Sequence, residues 1–292
     1  MRILVLGGDG MLGHELCRCW RPRHEVWITL RQGRAAYAAH GELLGERTLF
    51  DLDVRRLDDV LAALVAARPE LVVNGVGIVK QRPAALELLP SMEVNALFPH
   101  RLARACAAAG ARLVHLSTDC VFSGARGRYT EADPPDPVDL YGRTKLLGEV
   151  AAPGVLTLRT SIIGLELGRA GSLVEWFLAQ RGTVRGYRRA IYSGVTTTEM
   201  ARAVERLALE APELHGVWHL SAEPIDKHDL LTRLARRLGR DDIQIVPDDT
   251  VACDRSLDSS ALTGRTGWRA ASWDSMLDEL AERIRRREGS GP

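Results

Sequence analysis

The sequence lacks several things, and each absence excludes a class of function. Its 292 residues contain no apolar run approaching about 18 residues, so nothing in it reads as a membrane span. Residue 1 leads directly into "RILVLGGDG", without the charged, apolar and small-residue order of a signal peptide, and a cytoplasmic location is expected. Charge of one sign is missing too. Lys plus Arg number 39 and Asp plus Glu 38, a net charge of +1, which gives no general attraction for nucleic acid or anionic lipid. The five cysteines (Cys17, Cys19, Cys106, Cys120, Cys253) are an odd count, and Cys17 and Cys19 lack the two-residue gap of a redox or zinc pair. Reduced thiols are expected, and no metal site. His215 and His219 bracket "GVW" without an evident third ligand, so hydrogen-bonded or surface roles are expected for them.

What is present is an ordinary globular composition, 46% hydrophobic and 26% charged, in a chain long enough for one large domain or two unequal lobes. Short apolar, β-rich runs cover residues 2–7, 24–30, 47–50, 70–77, 111–117 and 155–160. Between them, residues 10–20, 54–68, 92–110 and 140–150 carry apolar side chains at spacings of three and four, as a helix with one buried face requires. Strand then helix, repeated, predicts an α/β protein with a doubly wound parallel sheet covered on both faces. The alternation weakens after about residue 163. Residues 1–163 are therefore expected to form the sheet domain and 164–292 mainly a smaller C-terminal substrate-binding lobe, with helices from about 190–216 returning to the sheet. Helices are also expected at 227–239 and 273–287, followed by a frayed "EGSGP" end.

The turn after the first strand, "GGDGMLG", places Gly7, Gly10 and Gly13 at three-residue spacing, with Met11 and Leu12 opening the helix. Glycine there permits a tight turn and lets backbone amides approach a pyrophosphate, whose charge the helix N-terminus favours. This is the dinucleotide-binding form of the doubly wound sheet, the Rossmann fold. The second strand ends in "ITLRQGR", with Arg31 and Arg34 where an NAD site usually has an acid, so NADPH is the expected cofactor and NADH is left open. "FDLD" after the third strand offers Asp51, with Leu52, to the adenine end, although Asp51 or Asp53 could equally cap a helix.

"YGRTK" puts Tyr141 and Lys145 four apart, on one face of a helix. An ammonium so placed can stabilise a tyrosinate. The pair follows "LSTDCVFSG", where Thr118 stands at the mouth of an apolar strand. A strand-end hydroxyl, a tyrosine and a lysine are the parts needed to protonate a ketone oxygen while hydride reaches its carbon.

Together, "GGDGMLG", "NGVG", "LSTDCVFSG" and "YGRTKLLGE" resemble the extended short-chain dehydrogenase/reductases, and within them the dTDP-4-dehydrorhamnose reductase group, over nearly the whole chain. The resemblance implies Thr118 as the catalytic hydroxyl, Tyr141 as the acid/base, and Lys145 as the group that binds nicotinamide ribose and tunes the tyrosine. It further implies that Asn74, Gly75 and Val76 support the cofactor, and that Asn95 helps to hold the lysine; alternatively, Asn95 only bridges backbone groups. One departure is Cys120, where these reductases usually carry an aromatic. A thiol there reshapes a sugar pocket, and nothing in the sequence activates it as a nucleophile. "NGVGIVKQ" and "LRTSIIGLELG" look more like a sub-branch acting on UDP-2-acetamido-2,6-dideoxy-hexuloses in surface-polysaccharide pathways.

The implied activity is reduction of the 4-keto group of a nucleotide-linked 6-deoxyhexose, dTDP or UDP being undecided. Substrate contacts are expected from Lys80, Thr118, Asp119, Cys120, Tyr141, Trp176 and Arg255, with Arg185, Tyr187, Arg188 and Arg189 as further cations and aromatics of the second lobe. Trp176 sits at helical spacing and reads more readily as core than as a sugar platform. The expected partner is a nucleotide-diphosphate sugar, and a homodimer is left open. Two other readings share these motifs: a nucleotide-sugar epimerase, and a non-catalytic NADP-binding subunit like the regulatory subunit of methionine adenosyltransferase.

Overall fold

Apolar runs too short for helices and too continuous for a half-exposed sheet become the inner strands of one parallel sheet. The computed structural model describes residues 1–79, 86–168 and 171–289. Its first part runs β1 (Arg2–Leu6), α1 (Met11–Trp20), β2 (Glu25–Thr29), β3 (Thr48–Leu49), α2 (Leu57–Ala67), β4 (Leu71–Asn74), α3 (Leu88–Ser91), α4 (Phe98–Ala108), β5 (Arg112–Leu116), α5 (Leu140–Leu147) and β6 (Val155–Arg159). The chain continues through β7 (Ile162–Ile163), α6 (Leu173–Ala179), β8 (Gly182–Tyr187), β9 (Ala190–Tyr192), β10 (Val195–Thr196), α7 (Thr197–Glu210) and β11 (Gly216–His219). It ends with β12 (Ile225–Asp226), α8 (Lys227–Leu238), β13 (Ile243–Asp248), β14 (Cys253–Asp254), α9 (Ser260–Thr266) and α10 (Trp273–Gly289).

Among the described residues, seven strands form the central sheet in the order β3-β2-β1-β4-β5-β6-β11, with every pairing parallel. The order reverses between β1 and β4, and that switch point is where open sheets of this kind bind ligands, outside the C-terminal strand ends. Side chains alternate along each strand. Ile3 and Val5 join a core with Leu16 and Trp20 of α1 and Val204 and Leu207 of α7. Leu4 and Leu6 join a second core with Leu64 of α2 and Phe98 and Leu102 of α4.

Two expected elements come out differently. The strand expected over 70–77 stops at Asn74, because the Asn74 side-chain Oδ1 accepts a hydrogen bond from Val76 N at 3.1 Å and turns the chain out of the sheet. The helix expected over 92–110 is instead a π-helical segment, Met92–Leu97, followed by α4, with Phe98 N donating to Glu93 O. Pro99 explains the change. It has no N–H to close an α-helical bond onto the Asn95 carbonyl, so the ladder widens there. Beyond the sheet, β9 is the central strand of a small sheet ordered β12-β9-β14, while β13 pairs with β8 and β10 with β7. No described helix is long and apolar enough to cross a membrane.

Candidate active site

A cleft of about 630 Å³ opens at the C-terminal ends of β1, β4, β5 and β6 and is closed on the far side by the small sheet. Its floor begins at the glycine turn. Gly7 has φ +81°, a conformation that disfavours side chains, and Gly10 N donates to Gly7 O at 3.0 Å. A Cβ on Gly13 would stand 2.0 Å from Gly7 O, so only glycine lets α1 close onto the turn. Gly10 caps α1 without a side-chain cap, and Gly10, Met11 and Leu12 line the cleft. A helix N-terminus reached through close-packed glycines fits a pyrophosphate.

Asn74, Gly75 and Val76 line the same cleft, and Asn74 Nδ2 lies 3.1 Å from His115 Nδ1. Arg31, exposed just past β2, stands outside the cleft lining, near enough to Asp53 to help hold that carboxyl at about 2, mainly the work of Arg55. Asp51, exposed with φ +59°, and the buried Leu52 also belong to this outer rim. Asn95 is buried in the π segment. Its Oδ1 accepts from Ile78 N at 2.9 Å, and its Nδ2 donates to Ile78 O at 2.9 Å and to Thr144 Oγ1 at 3.3 Å. It therefore ties the β4 exit loop to α5, next to Lys145.

Thr118, Tyr141 and Lys145 all line the cleft. Thr118 begins the short turn Asp119–Val121, its Oγ1 accepting from Cys120 N at 3.1 Å and donating to Asp119 Oδ1 at 3.2 Å, and its hydroxyl neighbours the Tyr141 phenol. Burial, reinforced by Cys120, pushes the phenol above its ordinary range, with the neighbouring Thr118 hydroxyl opposing. Lys145 Nζ donates to Leu116 O at 2.5 Å, and burial pushes its ammonium down to about 8, with Glu149 opposing. Two glycines make this closeness possible. A Cβ on Gly142 would lie 2.2 Å from Cys120 O, and one on Gly148 would lie 1.9 Å from Asn95 O.

Beneath the lysine, Glu149 forms a buried two-pronged ion pair with Arg159, whose Nε and Nη2 each lie 2.8 Å from its oxygens. Ser117 Oγ donates to Glu149 Oε1 at 2.6 Å, and Arg159 Nη1 lies 3.3 Å from His219 Nε2. His219 is thus a member of a hydrogen-bonded network.

Asp119, Cys120 and Arg255 also line the cleft. Burial raises the Asp119 carboxyl above its usual range, with Arg255 opposing, and pushes the Cys120 thiol up to about 12, leaving it protonated at neutral pH. Arg255 is aimed by Nε donating to Phe122 O at 2.9 Å. Trp176 is 39% exposed on α6 and is not among the residues that line the cleft. Lys80 lies outside the described residues. Arg185 and Arg188 face Asp248 and Asp249, whereas Tyr187 reaches the cleft. The sequence reasoning missed Tyr192 and Lys227, which line it too. Lys227 had a signal: the chain has three lysines against 36 arginines, and the two described, Lys145 and Lys227, both face this cleft.

The family description "RmlD substrate binding domain" matches residues 1–283. The chain belongs to this family. A dTDP-4-keto-6-deoxy-D-glucose reductase from Streptomyces niveus is 29% identical over 281 residues, spanning 92% of this chain and 91% of the relative. A dTDP-4-dehydrorhamnose reductase from Salmonella typhimurium is 30% identical over 233 residues, 76% of this chain and 73% of the relative. In fold, the chain is similar to the crystal structure of dTDP-4-dehydrorhamnose reductase from Bacillus anthracis in complex with NADP, with a TM-score of 0.78, 20% identity, and 97% and 99% of the two chains covered. The family member described here thus carries the fold expected of a doubly wound α/β protein.

Proposed function

We propose that this RmlD-family protein is an NADPH-dependent reductase of the 4-keto group of a nucleotide-linked 6-deoxyhexose. The observation that carries the reading is the meeting of Thr118, Tyr141 and Lys145 in one cleft whose floor is the glycine turn. Reduced NADP, when bound, supplies the hydride. Gly7, Gly10, Met11, Leu12 and Gly13 hold its pyrophosphate end, Asn74, Gly75 and Val76 support it along β4, and Arg31, Asp51 and Leu52 form the adenosine rim. The protein's own groups handle the proton. Tyr141, kept neutral by burial, donates its phenol proton to the carbonyl oxygen, and Thr118 hydrogen-bonds that oxygen. Lys145 stays cationic below about 8 and steadies the tyrosinate left behind.

A neutral phenol is the loaded acid that a ketone reduction needs at neutral pH. The dTDP and UDP forms of the substrate share this chemistry, and the names of the relatives support a dTDP sugar. Exposed Leu88 and Leu89 on α3, Leu97 in the π segment and Leu147 on α5 support a homodimer through this face, which sedimentation would read as twice the chain mass.

The test is NADPH oxidation with a panel of dTDP- and UDP-linked 4-keto-6-deoxysugars. Tyr141→Phe should lower kcat by about two orders of magnitude or more, as removal of a positioned acid does. A phenylalanine variant as fast as wild type would end the proton-donor assignment. Stoichiometric NAD retained through purification, with no net oxidation, would favour an epimerase instead.

A further inference from the structure

The small sheet β12-β9-β14 does more than close the cleft. Its central strand ends in Tyr192, β12 leads into Lys227 and β14 into Arg255, and all three residues line the cleft together with Asp119. The pairings fix this convergence: Ile225 sits opposite Tyr192, Cys253 sits beside Ala190, and Arg255 N donates to Ile191 O at 3.0 Å. One short strand thus gathers a phenol, an ammonium and a guanidinium on one wall.

Tyr192 is the unexplained member. Its ring packs at 5.6 Å from that of Trp273, a contact phenylalanine would make equally well. Yet the residue is only 8% exposed, and among the described residues its hydroxyl has no hydrogen-bond partner. A buried, unpaired hydroxyl costs stability unless something else completes it. Its charged neighbour is Asp119, a buried carboxyl next to the catalytic Thr118 and itself influenced by Lys227 and Arg255. Neither Lys227 nor Arg255 has a carboxylate at ion-pair distance among the described residues.

We infer that Tyr192 is a substrate-binding residue: its phenol hydrogen-bonds a polar ring substituent, hydroxyl or acylamino, of the bound sugar, in the cleft that Asp119 also lines. The inference rests on the reductase reading above and deepens it. Tyr192 then sets which substituted ketosugars are accepted, since a site built around a hydrogen bond disfavours substrates lacking the partner. Lys227 and Arg255 supply the positive surroundings in which a buried acid and a phenol share a neutral ligand group.

The test compares wild type with Tyr192→Phe on a 4-ketosugar nucleotide and on analogues lacking each ring hydroxyl or acylamino group in turn. The variant should lose roughly three- to tenfold in kcat/KM on the substituted sugar, the size of one neutral hydrogen bond. On the analogue missing the recognised group, the two enzymes should perform alike. The ligand-free variant should melt at the same temperature as wild type or higher, because the hydroxyl it loses has no partner in the protein. Equal efficiency on every sugar, an equal loss on every sugar, or a ligand-free melting point several degrees lower would overturn the assignment. Wild type inactive on the whole panel would instead defeat the reductase reading, a result distinct from any of these.

Discussion

For the proposed reaction, Lys145 has to stay charged in a place that opposes charge. Its side chain is almost fully buried, its Nζ rests on the Leu116 carbonyl, and burial brings its titration down to about 8 from an ordinary 10.5. Because the folded value is lowered, the ammonium is present below about 8 and lost as pH rises through it. Between about 8 and 10.5 the folded state holds fewer protons than the unfolded one, so this residue's contribution to stability rises with pH while its positive charge disappears. Tyr141 stays a protonated acid throughout that window. For the cofactor-free enzyme, kcat/KM is therefore expected to fall along a one-proton limb near pH 8. A profile flat to pH 10 would show that the ammonium is not needed in its charged form, and Lys145→Met should abolish the limb together with most of the activity.

At the scale of elements, α5 owes its place to what it lacks. Gly142 and Gly148 let it press against Cys120 on one side and the π segment on the other. The segment itself exists because Pro99 frees the Asn95 carbonyl, the atom against which Gly148 packs. The Tyr141 and Lys145 spacing was legible in the sequence, since an α-helix puts residues four apart on one face. The widened turn was not, because apolar spacing alone does not distinguish an α-helical ladder from one with a single longer bond. Tyr192 and Lys227 were hidden for a related reason. The strands that carry them to the cleft are only two or three residues long, too short for any alternation to show. Gly148→Ala should cost about 1–3 kcal/mol by overpacking, measured as a lower urea midpoint at unchanged slope. An unaffected midpoint would mean that α5 can slide away from Asn95 freely.

Across the whole molecule, the central sheet was readable because its strands are continuous apolar runs, and the network beneath the site was not, because it joins residues distant in sequence. Ser117 follows β5, Glu149 follows α5, Arg159 ends β6 and His219 ends β11, and His219 Nδ1 lies 3.0 Å from Tyr129 O in the loop before α5. Phe122 stacks on Tyr129 at 4.2 Å, with the Arg159 guanidinium 5.2 Å from the Phe122 ring centre. Helix α5, the strand ends and that loop are therefore held by one buried charge pair. Removing one partner of such a pair leaves the other charged and unpaired, which costs about 3–5 kcal/mol, whereas removing both is often near neutral. Glu149→Gln alone should destabilise the protein by about that amount, and Glu149→Met combined with Arg159→Met should recover most of it in a double-mutant cycle read by chemical denaturation. The recovered protein should still lose activity, because Ser117 loses its acceptor and Lys145 the negative charge that helps to keep it cationic. If the double variant were both stable and fully active, the network would serve the fold without serving the site.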